Sequence, residues 1–173
     1  KRSLFVLMSY AIKMIEVKCN GTLHNFSKGS TAKDVIIEIL GKKNNAIAAF
    51  INGKEKDLSF SIQENCEIDI ISGDSDQGSY ILRHSCAHLL AQAVTQLYPT
   101  AKPTIGPPIE NGFYYDFYMD PINENDLTKI EKIMRKIVKQ NIPIKREEYD
   151  NKKLREMFSE NPFKVEIMDD KIG

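Results

Sequence analysis

The fold of the first part of the chain is decided by Met14-Ile15-Glu16-Val17-Lys18-Cys19-Asn20-Gly21-Thr22-Leu23-His24-Asn25-Phe26. Apolar and charged side chains alternate from Met14 to Lys18, as in a strand that buries one face. Asn20-Gly21 is typical of a two-residue turn of the primed type, and Thr22 to Phe26 continue as a second strand. These residues therefore predict a β-hairpin.

A short helix and further strands are predicted after the hairpin. Residues 31–34, Thr-Ala-Lys-Asp, have the pattern of a capping box, and the helix that they begin ends at Gly41. Ala46 to Ile51 and Glu67 to Ile71 are predicted strands, with Asn52-Gly53 turning the chain between them. Residues 14–72 thus predict a small α+β domain in which one helix crosses a sheet, the β-grasp arrangement.

A linker and a second domain are predicted beyond residue 72. Residues 72–79 contain no apolar side chain and two glycines, so we place a linker at 73–78 and a second domain at 79–173. Its elements are a long helix with Ser79 as N-cap, a strand over the aromatic run 113–118, an amphipathic helix from Leu127 to about Asn141, a strand near Ile144 and a helix over 153–158.

Composition narrows the class of protein. The 173 residues carry 24 Lys plus Arg against 24 Asp plus Glu, so no net charge indicates a partner. This length excludes a (β/α)8 barrel of about 250 residues, and the apolar runs are shorter than the roughly 20 residues that a membrane span needs. Three cysteines without a CxxC pair favour reduced thiols and a cytoplasmic location. Residues 1–13 are interpreted as an N-terminal extension, because no cleavage site for a signal peptide follows them.

Two histidines on the long helix are the first candidate site. His84 and His88 stand four residues apart, so their side chains leave the same face of the helix. No charged residue occurs between His84 and Ala101, although a helix that faces water normally carries charges. The face with the histidines is therefore predicted to be covered or to line a pocket. At 100° per residue the opposite, core-facing stripe is predicted to be Leu82, Cys86, Leu89, Leu90, Ala93 and Leu97, and Ala87 is placed on the histidine face.

Other interpretations of the histidine pair stay open. Two histidines at this spacing occur by chance, and in a covered helix they need only satisfy backbone or carboxylate partners. A zinc site requires three or four ligands, and the third histidine, His24, belongs to the preceding domain. We therefore expect no metal site. Cys86 is expected to be a small buried apolar residue.

Two further segments could contact a nucleotide. Residues 103–118 combine rigid prolines, two glycines and five aromatic side chains, which suits a surface for a base or ribose, although such a strand could equally build a core. Residues 103–128 hold five acids and no base, whereas residues 127–155 hold ten Lys plus Arg against four acids. This basic stretch could touch phosphates, and a solvated helix face is an equal alternative.

Three motifs together resemble threonyl-tRNA synthetases. They are the helix Arg83-His84-Ser85-Cys86-Ala87-His88-Leu89-Leu90, the loop Ile105-Gly106-Pro107, and the strand Gly112-Phe113-Tyr114-Tyr115-Asp116. The resemblance covers about residues 14–173. It implies that residues 14–72 are the N-terminal TGS domain of that family and that residues 79–173 are the first part of its editing domain. Asn161-Pro162-Phe163-Lys164-Val165 resembles the family segment whose lysine lies at the editing site.

The resemblance implies an ATP-dependent ligase that attaches threonine to tRNA and hydrolyses seryl-tRNA formed by mistake. It further implies that His84 and His88 hold the terminal ribose and place a water, that Lys164 orients the substrate or water, and that Tyr115, Gly106 and Pro107 line the pocket. No cofactor is implied for this chain, whereas ATP, Mg and Zn are implied for a catalytic core outside it. The implied partners are the acceptor end of tRNA, the rest of the synthetase and a second copy in a homodimer.

One departure from the family pattern matters. The family completes its editing site with a downstream Cys-x-x-x-His element, and no cysteine of this sequence has a histidine four residues later. We therefore expect a fragment with part of an editing site, inactive in isolation in both reactions. The alternatives are a free-standing aminoacyl-tRNA hydrolase of the same fold and a non-catalytic RNA-binding or regulatory module with a TGS domain.

Overall fold

The computed structural model describes residues 13–145 and 147–172, which form two compact units, one ending at Ser79 and the other beginning at Tyr80. The predicted extension, residues 1–13, lies outside the described residues except for Lys13. The molecule mixes helices and sheets, so the α+β class is confirmed. None of the described helices is both long and apolar enough to span a membrane.

The first unit begins with the predicted hairpin. Strands β1 (Met14–Cys19) and β2 (Thr22–Ser27) pair antiparallel, with Val17 opposite His24. Asn20 and Gly21 between them have φ values of 49° and 79°, the left-handed conformation that a primed turn requires. Along β1 alternate side chains are buried, which is the predicted pattern of one core-facing side.

One helix packs on a five-stranded sheet in this unit. Helix α1 (Ala32–Leu40) begins with the predicted capping box, in which Thr31 and Asp34 bond each other's backbone N–H groups. Strands β3 (Ala46–Ile51), β4 (Lys54–Asp57) and β5 (Cys66–Ser72) complete the sheet in the order β2-β1-β5-β3-β4, with β1 and β5 parallel. The core is formed by the sheet face and α1, with Val17, Val35, Ile36, Ile62 and Ile68 fully buried.

Two details of the first unit differ from the sequence prediction. Asn52-Gly53 does turn the chain, but into β4, which was not predicted because its Lys-Glu-Lys-Asp sequence has no apolar residue at an edge position. The predicted linker, residues 73–78, also contains the first turn of the next helix. The hydroxyl of Ser75 accepts the N–H of Gly78 and donates to the carbonyl of Ser72, and the next helix therefore begins at Asp76 instead of after Ser79.

The second unit consists mainly of helices. Helix α2 (Asp76–Leu97) passes into it from the first unit. Short strands β6 (Lys102–Pro103), β7 (Pro108–Ile109), β8 (Gly112–Phe113) and β9 (Phe117–Tyr118) follow, with β6 paired to β9 and β7 to β8. The remaining elements are α3 (Glu124–Gln140), α4 (Asn151–Met157) and α5 (Pro162–Ile172).

Helices α2 and α3 pack against each other through a small apolar core. Its buried members are Ala93, Val94, Ala101, Ile130 and Ile137. The predicted core-facing stripe of α2 is confirmed for Leu89, Leu90, Ala93 and Leu97. It is wrong for Leu82, which is 44% exposed. Ala87, which was predicted on the outer face, is buried. Cys86 is half-buried, as a small apolar residue at the border of the stripe would be.

Three further predictions for the second unit are wrong or incomplete. The aromatic run is divided into β8 and β9, because Tyr114 to Asp116 cross between two separate strand pairs. The segment around Ile144 is not a strand, and this side chain is 94% exposed. Helix α5 was not predicted. The helix predicted over 153–158 is confirmed as α4.

Candidate active site

The two histidines of α2 form a hydrogen-bonded pair. Nε2 of His84 lies 2.9 Å from Nε2 of His88, and the ring centroids are 4.7 Å apart. One ring nitrogen of such a pair must donate and the other accept, so at least one imidazole is a neutral acceptor. Both side chains are exposed, so this face is not covered, and Ser85, His88 and Gln92 on it line a cleft, the other alternative that the sequence predicted. The pair is therefore accessible to a substrate and can take up a proton.

The surroundings of His88 favour its neutral form. Partial desolvation lowers the pKa of His88 below 6.5, and the positive charges available at His84 and Lys164 lower this pKa further. A charged neighbour makes protonation less favourable, just as a low-dielectric environment does. His88 is consequently neutral at physiological pH and able to act as a base.

Lys164 joins α5 to the loop that follows β6. Its ammonium donates to the carbonyl of Thr104 over 2.8 Å and to the hydroxyl of Tyr115 over 3.3 Å, and it lies 5.8 Å from the centre of the Tyr115 ring. Thr104 is fixed in turn, because its N–H and its hydroxyl both donate to the carbonyl of Asp116. The structure thus brings together two of the predicted site residues, Lys164 and Tyr115.

Asn161 fixes the start of α5 at the same place. Its amide N–H donates to the carbonyl of Pro103 over 2.9 Å, and its backbone carbonyl accepts from the N–H of Lys164. Asn161 and Lys164, one helical turn apart, therefore bond adjacent carbonyls of one strand end, those of Pro103 and Thr104. This two-point attachment determines where the Lys164 ammonium lies.

Gly106 lies directly against the Tyr115 ring. A Cβ atom on Gly106 would lie 2.1 Å from Cδ2 of Tyr115, so no other residue fits while the ring stays in place. The Tyr115 ring also stacks on the ring of Phe117, with centroids 5.0 Å apart. Pro107, the third predicted pocket residue, is half-buried next to Gly106.

An apolar cleft opens beside His88. It encloses about 550 Å³. His88 and Gln92 line it from α2, Ile137 and Val138 from α3, and Ile142 and Ile144 from the segment after α3. The cleft places an imidazole at the edge of an apolar surface, as a site for a small organic group requires.

A metal site would need three or four ligating side chains close together. Among the described residues no three His, Cys, Asp or Glu side chains lie close enough to hold a metal ion. His24, the remaining histidine, lies in β2 of the first unit. The donors described here do not fit a zinc site.

Sequence reasoning missed Thr104 and Asn161. Asn161 had a recognisable signal, since an Asn immediately before Pro162 is a common way to begin a helix. Thr104 had no such signal. It donates to the carbonyl of Asp116 and accepts from Lys164 at its own carbonyl, and only the fold brings these groups together.

Sequence comparisons identify the relatives of this chain. No family model matches it. Among curated proteins, a threonine–tRNA ligase of Thermoplasma acidophilum is 48% identical over 146 residues, which are 84% of this chain and 21% of the ligase. Threonine–tRNA ligase 1 of Bacillus subtilis is 44% identical over 154 residues (87% and 24%), and the Thermobifida fusca ligase is 40% identical over 164 (94% and 24%).

These matches show the class of protein to which the chain is related, the aminoacyl-tRNA synthetases. Within that class it belongs to the threonine–tRNA ligase family, and it spans about a fifth to a quarter of the length of the members that it matches. A chain in the crystal structure of ATBAG1 in complex with HSP70 aligns with 90% of this chain, but at a TM-score of 0.31 and 14% identity.

Proposed function

We propose that this chain is part of a threonine–tRNA ligase and that residues 80–172 contribute to the hydrolytic removal of serine from mischarged tRNA. The observation that carries the proposal is the accessible His84–His88 pair with its 2.9 Å hydrogen bond, on a helix without charged residues from His84 onward. Lys164 and Tyr115 supply a second polar contact in the same unit. Attachment of threonine to tRNA with ATP would be the activity of the whole ligase.

The need for such hydrolysis follows from binding energetics. Serine lacks one methyl group of threonine, and a pocket distinguishes one such group by only about 1–3 kcal/mol. A second site that accepts the smaller amino acid and hydrolyses its ester removes the error.

The residues suit water activation rather than nucleophilic catalysis. A neutral His88 can accept a proton from a water whose oxygen attacks the carbonyl carbon of the seryl ester, and the ester bond to the ribose oxygen then breaks as that oxygen takes up a proton. The pocket wall of Tyr115 and Gly106 would face the aminoacylated ribose. Lys164, already bonded to the hydroxyl of Tyr115, would orient the substrate or the water.

The first unit is proposed to be a β-grasp domain of the TGS type. Its strand order β2-β1-β5-β3-β4, with parallel central strands and one helix on one face, supports this assignment. The proposed partners are the acceptor end of tRNA, further parts of the ligase and a second ligase in a homodimer, in the cytoplasm. ATP, Mg and Zn would be bound by parts of the ligase outside the described residues, whose donors do not fit zinc.

The test compares three forms of the full-length protein in hydrolysis of seryl-tRNA. The double variant His84→Ala, His88→Ala should lose at least about a hundredfold in rate, since a positioned general base contributes roughly 10²–10⁴. His24→Ala, which removes the histidine of the first unit, should hydrolyse at the wild-type rate. Wild-type hydrolysis by the double variant would refute the assignment. A full-length protein that binds RNA but neither aminoacylates nor hydrolyses would instead support the regulatory module.

A further inference from the structure

One face of α3 carries a row of lysines. Lys129, Lys132, Lys136 and Lys139 follow one another at intervals of three and four residues, and at 100° per residue they fall within about 80° of arc. All four are exposed, whereas Ile130 and Ile137 on the other side of the helix are buried in the core with α2. We call these four residues the lysine row.

The row is not a typical solvated face. Such faces usually alternate acids and bases at three- and four-residue spacing, because opposite charges there stabilise the helix and like charges destabilise it. Lys129 does pair with Asp126 over 2.8 Å. Lys132, Lys136 and Lys139, however, have no acid three or four residues away in either direction, and each has other bases at that spacing. The arrangement therefore costs helix stability, which favours a function for the charges.

The row leads to the His88 cleft. A second groove of about 450 Å³ lies beside it and is lined by Leu89, Glu131, Met134, Arg135, Val138 and Lys139. Glu131 is paired with Arg135 in this groove, over 2.6 Å. Leu89 and Val138 also line the His88 cleft. The C-terminal end of the lysine row and the cleft that contains His88 are thus adjacent on one surface of the second unit.

We propose that the lysine row binds the phosphate backbone of an RNA whose 3′ end enters the His88 cleft. The row is about 15 Å long at 1.5 Å per residue, so it can contact several successive phosphates of one strand. Lysine ammonium groups bind phosphates as point charges without reading bases. The chain has no net charge, so the electrostatic attraction for phosphates comes from this local row and not from the charge of the whole molecule. The proposal rests on the proposed function in one respect, that the RNA is the acceptor end of a tRNA.

The test uses the full-length protein and a hairpin RNA that contains only an acceptor stem with its single-stranded 3′ end. The variant Lys132→Gln, Lys136→Gln, Lys139→Gln removes three charges of the row. The matched control, Lys28→Gln, Lys33→Gln, Lys42→Gln, removes three exposed charges from the first unit. Binding is measured from 50 to 200 mM salt, and thermal unfolding is measured in parallel.

The row variant should bind the hairpin at least tenfold more weakly at 100 mM salt. Its log–log salt slope should be smaller by about 2 to 3, because each of three lost phosphate contacts removes about 0.7 to 0.9 from the slope. Its unfolding temperature should not fall, since the variant removes repulsion within α3, and misfolding is thereby excluded. The control should match the wild type in both affinity and slope.

Three outcomes would overturn the proposal. They are equal affinity and slope for the row variant and the wild type, an equal loss in the control, and binding of polyglutamate in place of RNA. Failure of the proposed function is separate. If the hairpin binds through the row but seryl-tRNA is not hydrolysed, the proposal for the lysine row stands and the proposed editing function is refuted.

Discussion

The ammonium of Lys164 lies 3.3 Å from the hydroxyl of Tyr115, although the two residues are 49 positions apart in the sequence. The contact exists because α5 is attached at two adjacent carbonyls, that of Pro103 by Asn161 and that of Thr104 by Lys164 itself. A charge is thereby fixed in the part of the molecule that also holds the histidine pair, and it acts on the pKa of His88.

Replacing Lys164 by Met should raise the pKa of His88. This pKa is lowered first by desolvation and then by the charges of His84 and Lys164, so removing one positive charge makes protonation easier. As the pH falls, His88 takes up a proton at a higher pH in the unfolded chain than in the folded protein. His88 therefore costs the folded state no stability above pH 6.5, and the free energy of unfolding decreases as the pH falls from there through the lower pKa of the folded state. The variant should lose less stability over that window.

Histidine NMR titration measures this effect directly. The control is Lys152→Met on α4, which removes an equal charge from an exposed position and should leave the His88 curve unchanged. Identical His88 titrations in wild type and Lys164→Met would show that the lysine does not act on the histidine.

Replacing Gly106 by Ala should displace the Tyr115 ring. The new Cβ would lie 2.1 Å from Cδ2 of Tyr115, well inside van der Waals contact, and overpacking of this kind typically costs about 1–3 kcal/mol. Urea unfolding of the variant gives the change in free energy of unfolding. In the double variant with Tyr115→Ala the clash is absent, so Gly106→Ala should then cost much less. Equal costs in the two backgrounds would contradict the contact.

Replacing Ser75 by Ala should destabilise the first turn of α2 by about 1 kcal/mol, the usual value for an N-cap hydroxyl. Its side chain accepts the N–H of Gly78, whereas Ser79 lies inside the helix and donates its N–H to the carbonyl of Ser75. Ser79→Ala should therefore be neutral or slightly stabilising, since alanine is the better helix former. Chemical unfolding of the two variants distinguishes them, and a larger loss for Ser79→Ala would restore the cap position predicted from the sequence.

Local signals in the sequence predicted the first unit well. Asn20-Gly21, the Thr31–Asp34 capping box and Asn52-Gly53 each determine their own backbone conformation, so the hairpin, α1 and a turn after β3 followed from a few residues. Strand β4 was missed because an edge strand of alternating Lys and acidic residues has no apolar pattern to detect.

The sequence predicted which residues belong to the candidate site better than it predicted how they are arranged. The four-residue spacing of His84 and His88 is a property of one helix, and the resulting 2.9 Å pair follows from it. Lys164 and Tyr115 meet only because α5 packs near β6, and helix α5 itself was not predicted. The face of α2 was partly misjudged, since exposure of Leu82 and burial of Ala87 depend on neighbours that periodicity does not specify.

Strand β1 pairs in parallel with β5, which is about 50 residues away, and β5 is also the neighbour that connects β1 to β3. During synthesis the hairpin can form as soon as Ser27 is available, but the sheet stays in two separate pieces until residues 66–72 have emerged. Such non-local pairing slows folding relative to local contacts. The last strand of the unit therefore controls when its core closes, and a polypeptide that ends before Cys66 would leave the hairpin and the β3–β4 pair without their common partner.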